Sequence, residues 1–336
     1  MNQLKWNLYK NIILNNVSTP PKPDMLLNLI SSWFEYKLKK THILSSPISA
    51  VLYINKTCNY TCSFCYNQDV LNKSPLSDGL FTIEDLGDFL NSEHGKKVLR
   101  IALMGGEPFI NKNIFDLIYQ CKAHHKITNI VSNGSLIKNE MVPEIAKSRL
   151  DAIGLSLYEN NLDHIERLAE EFNRHDINYW VQSVVDGTQI EQIEEKLFFA
   201  KRANIKNFIL SNYNPSFDQL FDKALLETND AYLIKYKELK KKYQNDMRII
   251  WPTILPASQA IKDKKCTLPF SYIHLDNQGT IAPCCYRYPK EEYGNLYHNG
   301  WNGTFAQNLR ENMFQPEKEP ITECKNCENL YRNLYF

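Results

Sequence analysis

Six short apolar runs, at residues 50–55, 98–104, 128–132, 152–157, 179–185 and 207–211, alternate with helical stretches through the middle of the chain. Runs of this length read as buried strands, and the intervening segments 83–91, 114–124, 142–148, 163–173 and 190–202 carry apolar residues at helical spacing. Strand followed by helix, repeated, permits few folds. Right-handed crossovers make the strands parallel and bring all their C-terminal ends to one rim. The pattern predicts an α/β fold: a partial (β/α)6 TIM-like barrel, closed by a polar helical segment at 225–243. A change of composition near residue 250, toward Cys, Gly, Asn and Tyr, divides the chain into an N-terminal extension (1–47), the barrel (48–250) and a small C-terminal unit of β-hairpin and helix (251–336). The extension contains an amphipathic stretch at 25–38 that reads as a helix.

Directly after the first run come Cys58, Cys62 and Cys65, spaced C-x3-C-x2-C. Three thiolates on one tight loop can ligate three corners of a [4Fe–4S] cube, leaving the fourth iron for a ligand that is not protein. A zinc knuckle is the competing reading, but zinc favours four protein ligands and paired C-x2-C hooks, so the spacing favours iron. Three further elements follow or end strands and so meet the loop on the same rim: Gly105-Gly106-Glu107-Pro108, Ser132-Asn133-Gly134 and Gly154-Leu155-Ser156-Leu157. Glycines in the first let backbone approach a bound ligand without a Cβ in the way, although a strand-to-helix turn would use them too. In the C-terminal unit, Cys266, Cys284, Cys324 and Cys327 follow a C-x17-C-x39-C-x2-C pattern, with a hairpin expected over 272–282. Four thiolates so arranged could close around zinc or a cube. Cys121 reads as a core thiol; Cys285 is open between packed thiol, alternative ligand and hydrogen-atom donor.

The segment Cys58-Asn59-Tyr60-Thr61-Cys62-Ser63-Phe64-Cys65 resembles the signature of the radical S-adenosylmethionine (SAM) superfamily, with Phe64 in its aromatic slot, and the three later elements resemble that family's GGEP, "TNG" and "SLD" motifs in order. The resemblance implies that the Cys58/Cys62/Cys65 cluster binds SAM. It also implies an adenine platform around Phe64 and Tyr66, a methionine-ammonium contact from Gly105, Gly106 and Glu107, and hydrogen bonds to ribose or carboxylate from Ser132, Asn133 and Ser156. Reductive cleavage of SAM then gives a 5′-deoxyadenosyl radical that abstracts a substrate hydrogen atom. The C-terminal cysteines, the Gly279-to-Cys284 G-x4-C unit and Gly294-Asn295 resemble a SPASM/twitch extension, which implies one auxiliary [4Fe–4S] cluster on Cys266, Cys284, Cys324 and Cys327. A fully ligated second cluster suits an electron acceptor, and hence an oxidoreductase. The expected reactions are dehydrogenation of a sugar- or cyclitol-type alcohol, or oxidative modification of a ribosomal peptide. The alternatives are a redox-neutral epimerase using Cys285 as donor and a non-catalytic metal-binding interaction protein.

Composition narrows the partners. With 39 Lys+Arg against 38 Asp+Glu, the chain has no electrostatic footprint for nucleic acid. Its apolar runs fall short of a membrane span and its first residues lack a signal-peptide core, so a cytoplasmic protein is expected, served by a flavodoxin- or ferredoxin-type electron donor and acting on a small molecule or peptide. Residues 1–47 are shorter than the usual winged-helix-like peptide-recognition module. The high Asn, Lys and Ile content is consistent with an AT-rich coding sequence, and no function is drawn from it. The general base is unassigned: Tyr158, Gln182, Tyr213, Arg248 and Trp251 lie near predicted strand ends and read as substrate-shaping or structural.

Overall fold

The computed structural model describes residues 18–65, 67, 70–73, 79–213, 223–255, 266–284, 287–321, 324 and 327–331. Within them, nine strands form one sheet in the linear order β7-β6-β5-β4-β3-β2-β1-β8-β9. These are β1 (Ser49–Tyr53), β2 (Arg100–Met104), β3 (Ile127–Ser132), β4 (Ala152–Ser156), β5 (Tyr179–Val185), β6 (Asn207–Asn212), β7 (Arg248–Ile250), β8 (Tyr272–Leu275) and β9 (Ile281–Ala282). Every pairing from β7 through β1 to β8 is parallel, and only β9 runs against its neighbour β8. The helices are α1 (Pro23–Lys37), α2 (Ile83–Asn91), α3 (Glu93–Lys97), α4 (Ile114–Ala123), α5 (Val142–Lys147), α6 (Leu162–Arg174), α7 (Glu191–Arg202), α8 (Asp230–Tyr243), α9 (Leu268–Ser271) and α10 (Thr304–Phe314).

Strand alternation assigns each side chain to one of two layers. Leu52, Leu103, Ile153, Leu155 and Phe208 join the large core that includes helix residues such as Leu86, Leu117 and Leu168, while Ile127, Ala152, Trp180, Ile209 and Ile250 form a separate cluster on the opposite face. That second cluster is built from strand residues alone, on the face turned away from the helices. Gly154 belongs there because a Cβ on it would stand 2.4 Å from the Trp180 ring. Helix starts follow local chemistry. Thr82 accepts a bond from Asp85 N while the Asp85 carboxylate accepts one from Thr82 N, a reciprocal cap that fixes the entry to α2.

The structure departs from the sequence expectation beyond the unforeseen β7 and α3, at two places that bear on the site. The segment 225–243 is helical only from Asp230, because Leu226 forms a bridge with Leu255 and Asn229 caps the helix through Tyr232 N at 2.9 Å. The hairpin, expected within a C-terminal unit of its own, continues the barrel sheet: β8 pairs with β1, and Ile273 and Leu275 bury in the same core as Leu52. The hairpin turn is set by Asp276, whose Oδ1 accepts from Gln278 N and Thr280 N at 3.0 and 2.9 Å, and by Gly279 at φ +80°.

Candidate functional site

The chain leaves β1 at Tyr53 and crosses the GGEP turn at contact distance. Gly106 N donates to Asn55 O at 3.2 Å and Glu107 N to Thr57 O at 2.8 Å, while Asn55 Nδ2 donates to Glu107 O at 2.9 Å. A Cβ on Gly105 would sit 2.6 Å from Asn55 O, and one on Gly106 only 2.0 Å from Thr57 O. The glycines therefore make room for the cysteine loop itself, a crossing that the sequence did not announce. Farther along, Asn72 closes the loop. At φ +58° its Oδ1 accepts from Cys58 N and its Nδ2 donates to Cys58 O, both at 2.9 Å.

Glu107 is buried, 1% exposed. Its carboxylate accepts from Ser132 Oγ at 2.7 Å, Asn133 N at 2.8 Å and Phe109 N at 3.1 Å. Burial raises its carboxyl pKa while these three donors pull it back down. Glu107 thus ties the end of β2 to the end of β3, and Asn133 Nδ2 extends the tie to Asn59 Oδ1 in the cysteine loop at 3.0 Å. Ser132 Oγ also accepts from Gly134 N at 2.9 Å, so a hydroxyl expected to bond the SAM ribose or carboxylate is engaged within its own turn.

Half-burial raises the pKa values of Cys58, Cys62 and Cys65, and the charge that Cys62 and Cys65 would carry raises Cys58 further. Amide and hydroxyl donors oppose this: Tyr60 N toward Cys58 Sγ at 3.5 Å, Asn67 N toward Cys65 and the Tyr158 hydroxyl toward Cys62. Phe64, 38% exposed, stacks on Tyr158 with ring centroids 6.0 Å apart, and Tyr60 tilts against the same ring at 5.4 Å. Tyr66 and Cys285 lie outside the described residues. Among the described residues, no group of three or more Cys, His, Asp or Glu side chains converges as the ligands of a single ion do. A cube carries each thiolate on a separate corner. Three electrostatically coupled thiols with hydrogen-bond donors to sulfur fit that demand.

The second site has a different wall. Cys266, Cys284, Cys324 and Cys327 all line one cavity whose other sides include Leu268, Pro283, Leu309 and Met313. Full burial raises the Cys266 thiol well above its usual range, and the neighbouring Cys327 and Cys324 thiols raise it further, a donor set that suits a group carrying compensating positive metal charge. Between the two sites, Tyr53 packs edge-on against His274 at 5.2 Å and Tyr288 at 4.9 Å, and its hydroxyl accepts from Asn67 Nδ2. His274 Nδ1 donates to Arg287 O at 2.8 Å, and Arg287 lines the cysteine cavity.

Of the residues considered for a general base, Gln182 reaches Ser156 Oγ at 3.4 Å. Tyr213 and Trp251 are buried. Arg248 is exposed and opens β7 beside Asn207, the first residue of β6, so it sits at the end of the barrel opposite the site. Sequence reasoning passed over Asn55, Asn72 and Asn59; Asn55 and Asn59 had only position as a signal, near a strand end and beside Cys58, and Asn72, seven residues past Cys65, had none.

Residues 52–161 match the family model of the radical SAM superfamily, and residues 266–328 match that of an iron–sulfur cluster-binding domain, SPASM. The chain is 24% identical over 312 residues to a GTP 3′,8-cyclase of Helicobacter pylori strain HPAG1, covering 84% of this chain and 94% of that one. It is 22% identical to the antilisterial bacteriocin subtilosin biosynthesis protein AlbA of Bacillus subtilis strain 168, over 82% of this chain and 63% of that one. Its fold resembles Streptococcus suis SuiB bound to S-adenosylmethionine, with a TM-score of 0.61 at 21% identity over 82% of this chain and 70% of SuiB, and SuiB has also been solved with its precursor peptide SuiA. With its motifs on one rim of a parallel barrel and four further cysteines on one cavity, the chain is a radical SAM superfamily enzyme with a C-terminal SPASM iron–sulfur domain, using SAM, a SAM-binding [4Fe–4S] cluster and an auxiliary cluster.

Proposed function

We propose that the chain is an oxidoreductase that withdraws two hydrogens from a peptide substrate, with residues 48–250 carrying the SAM chemistry and 251–336 the electron acceptor. The observation that carries this reading is the cavity on which Cys266, Cys284, Cys324 and Cys327 all open: four thiols fill the four corners of a cube, so no corner is left for substrate. When bound, SAM and its cluster supply hydrogen-atom abstraction, and the auxiliary cluster supplies an acceptor for the electron that the substrate radical must shed. The balance then closes. The substrate gives up one hydrogen atom, one proton and one electron, while an external donor of the flavodoxin or ferredoxin type reduces the SAM-binding cluster. Peptide is preferred over alcohol as substrate because SuiB binds a precursor peptide and AlbA serves bacteriocin biosynthesis. Oxygen-sensitive clusters require a reducing compartment, so a cytoplasmic setting belongs to the same proposal.

The chain's own residues hold the geometry. In this reading Cys58, Cys62 and Cys65 ligate the first cluster, and the Gly105-Gly106 crossing with Asn55 fixes their loop against β2. Glu107 and Asn133 fix it against β3, and Phe64, Tyr158 and Ser156 flank the opening. Anaerobic turnover of candidate peptides, read by mass spectrometry, tests the reaction. Loss of two hydrogens is expected. An unchanged mass in water with one deuterium gained in D2O would instead identify an epimerase and overturn the oxidation.

A further inference from the structure

We infer that the outward face of α1 docks the protein on an anionic phospholipid bilayer, lying along its surface. The helix is mounted with its apolar side outward. Asn28 and Ser32 are buried: Asn28 Oδ1 accepts from Ser46 N at 2.8 Å, Asn28 Nδ2 donates to Ser46 O at 3.1 Å, and Ser32 Oγ donates to Phe270 O at 3.0 Å. These bonds set the rotation of the helix about its axis. Leu26, Leu27, Ile30, Trp33, Phe34 and Leu38 then fall within an arc of roughly 140° on the other side, all between 40% and 66% exposed. The Glu35 carboxylate accepts from Leu44 N at 2.6 Å and Ser45 N at 3.1 Å, which holds Leu44, 82% exposed, close to the helix end. Single exposed apolar residues need no explanation, but a continuous stripe of them marks a surface that meets a partner.

Charge selects the occupant. The whole chain nearly balances 39 Lys+Arg against 38 Asp+Glu, yet Lys22, Lys37, Lys39 and Lys40 are exposed at the ends of this helix against one exposed acid, Asp24. Lys37 Nζ stands 5.6 Å from the centre of the Trp33 ring, a cation beside an aromatic on the outward face. Leu, Ile, Trp and Phe flanked by lysines let a helix seat its apolar face among acyl chains and its cations among lipid phosphates. A convex crest suits such a fluid layer, whereas a helical peptide needs a groove and a second copy would bring a net positive face against itself. The mounting agrees with this. Ser46 and Phe270, which grip α1 from below, precede β1 and β8, so the helix sits toward the N-terminal ends of the strands and leaves the cysteine rim clear of the bilayer. With 15 residues, α1 is too short to cross.

Co-sedimentation of the anaerobic holoenzyme with vesicles tests the inference. The full chain is expected to sediment with mixed phosphatidylglycerol and phosphatidylcholine vesicles at low ionic strength, and to be released when salt rises or phosphatidylglycerol is left out. Leu27→Asp combined with Phe34→Asp should lower the vesicle partition coefficient by at least about tenfold while iron content stays unchanged. Lys37→Gln, Lys39→Gln and Lys40→Gln together should weaken binding to the anionic vesicles. A full chain that stays in the supernatant with both vesicle types at low salt would overturn the inference. So would undiminished binding by the double Asp variant, which would put the lipid contact elsewhere. A wild type that binds no vesicles but dimerises, with the double Asp variant monomeric, would give the face to a second copy instead. Should the double Asp variant fail to fold, the triple Gln variant decides alone: weaker binding to anionic vesicles supports the inference and unchanged binding refutes it.

Discussion

The two cysteine sites are built from opposite materials. The Cys58 loop is held by short polar side chains at a strand-end rim, Asn55, Asn72, Asn133 and Glu107, and its three thiols are half-buried. The Cys266 cavity is walled by Leu268, Leu309 and Met313, and its first thiol is fully buried. A site that must bind and release a zwitterionic cosubstrate needs directional donors and acceptors and a route to solvent. An electron store needs neither, and low polarity around it suppresses ligand exchange. Under the proposed assignment the difference in wall matches the difference in thiol number: three where an outside ligand would complete the coordination, four where none is needed.

The widest break between the sites comes from removing thiols. Anaerobically purified protein is expected to hold about eight irons as two cubes. Replacing Cys58, Cys62 and Cys65 together by Ala should halve that content and abolish SAM cleavage. Cys324→Ala should abolish product while 5′-deoxyadenosine and methionine still form, because the substrate radical has lost its acceptor. Zinc in place of iron at either site, or SAM cleavage in the triple variant, would undo the comparison.

A subtler asymmetry lies in His274, on the hairpin that carries Cys284. Full burial lowers its pKa to about 4, against an ordinary 6.5, despite the bond from Nδ1 to Arg287 O that favours the charged form. The sign follows from proton counts. Between pH 6.5 and 4 the unfolded chain holds the extra proton and the folded chain does not, so stability is complete above 6.5 and falls as pH drops toward 4. The lowering corresponds to about 3 kcal/mol over the whole window. Amide exchange in β8 and β9 should therefore lose protection on acidification before β3, β4 and β5 do, and His274→Gln should flatten that pH dependence. Equal loss in both regions would mean that acid acts elsewhere.

How far each region was legible in the sequence follows from how local its chemistry is. The run 179–185 coincides with β5, and the first α/β repeats lie where their apolar periodicity put them, because strand and helix burial are encoded within each segment. The edge pairing of β8 with β1 was not legible: a four-residue strand states that it pairs, but not with which partner. The cysteines announced themselves by spacing. The asparagines did not, since one side chain serves a cap, a turn or a cross-loop brace with equal ease, and an abundance read as base composition hid Asn55 and Asn72. Gly106 was recognised for the close backbone approach that glycine allows, but its approach to Thr57 shows only where two distant segments cross.

The smallest expected effect sharpens the role of the polar rim. By resemblance Glu107 meets the SAM ammonium, whereas in the structure its carboxylate already accepts from Ser132 Oγ, Asn133 N and Phe109 N. Removing it in Glu107→Ala leaves buried donors unmatched, a loss of about 1–3 kcal/mol in denaturant unfolding, together with weaker SAM binding. The two roles separate in Glu107→Gln, which keeps one acceptor oxygen, placed for Ser132 Oγ and Phe109 N, loses the charge and gives up only the bond from Asn133 N. If bracing dominates, Gln recovers most of the stability and most of the SAM affinity that Ala forfeits. If direct attraction of the ammonium dominates, Gln recovers stability alone and binds SAM as poorly as Ala, because a neutral amide replaces a charge-assisted hydrogen bond with an ordinary one. Three donors already occupy much of the acceptor capacity of this carboxylate, so the first outcome is expected, read as isothermal titration of SAM beside a denaturation curve for each variant.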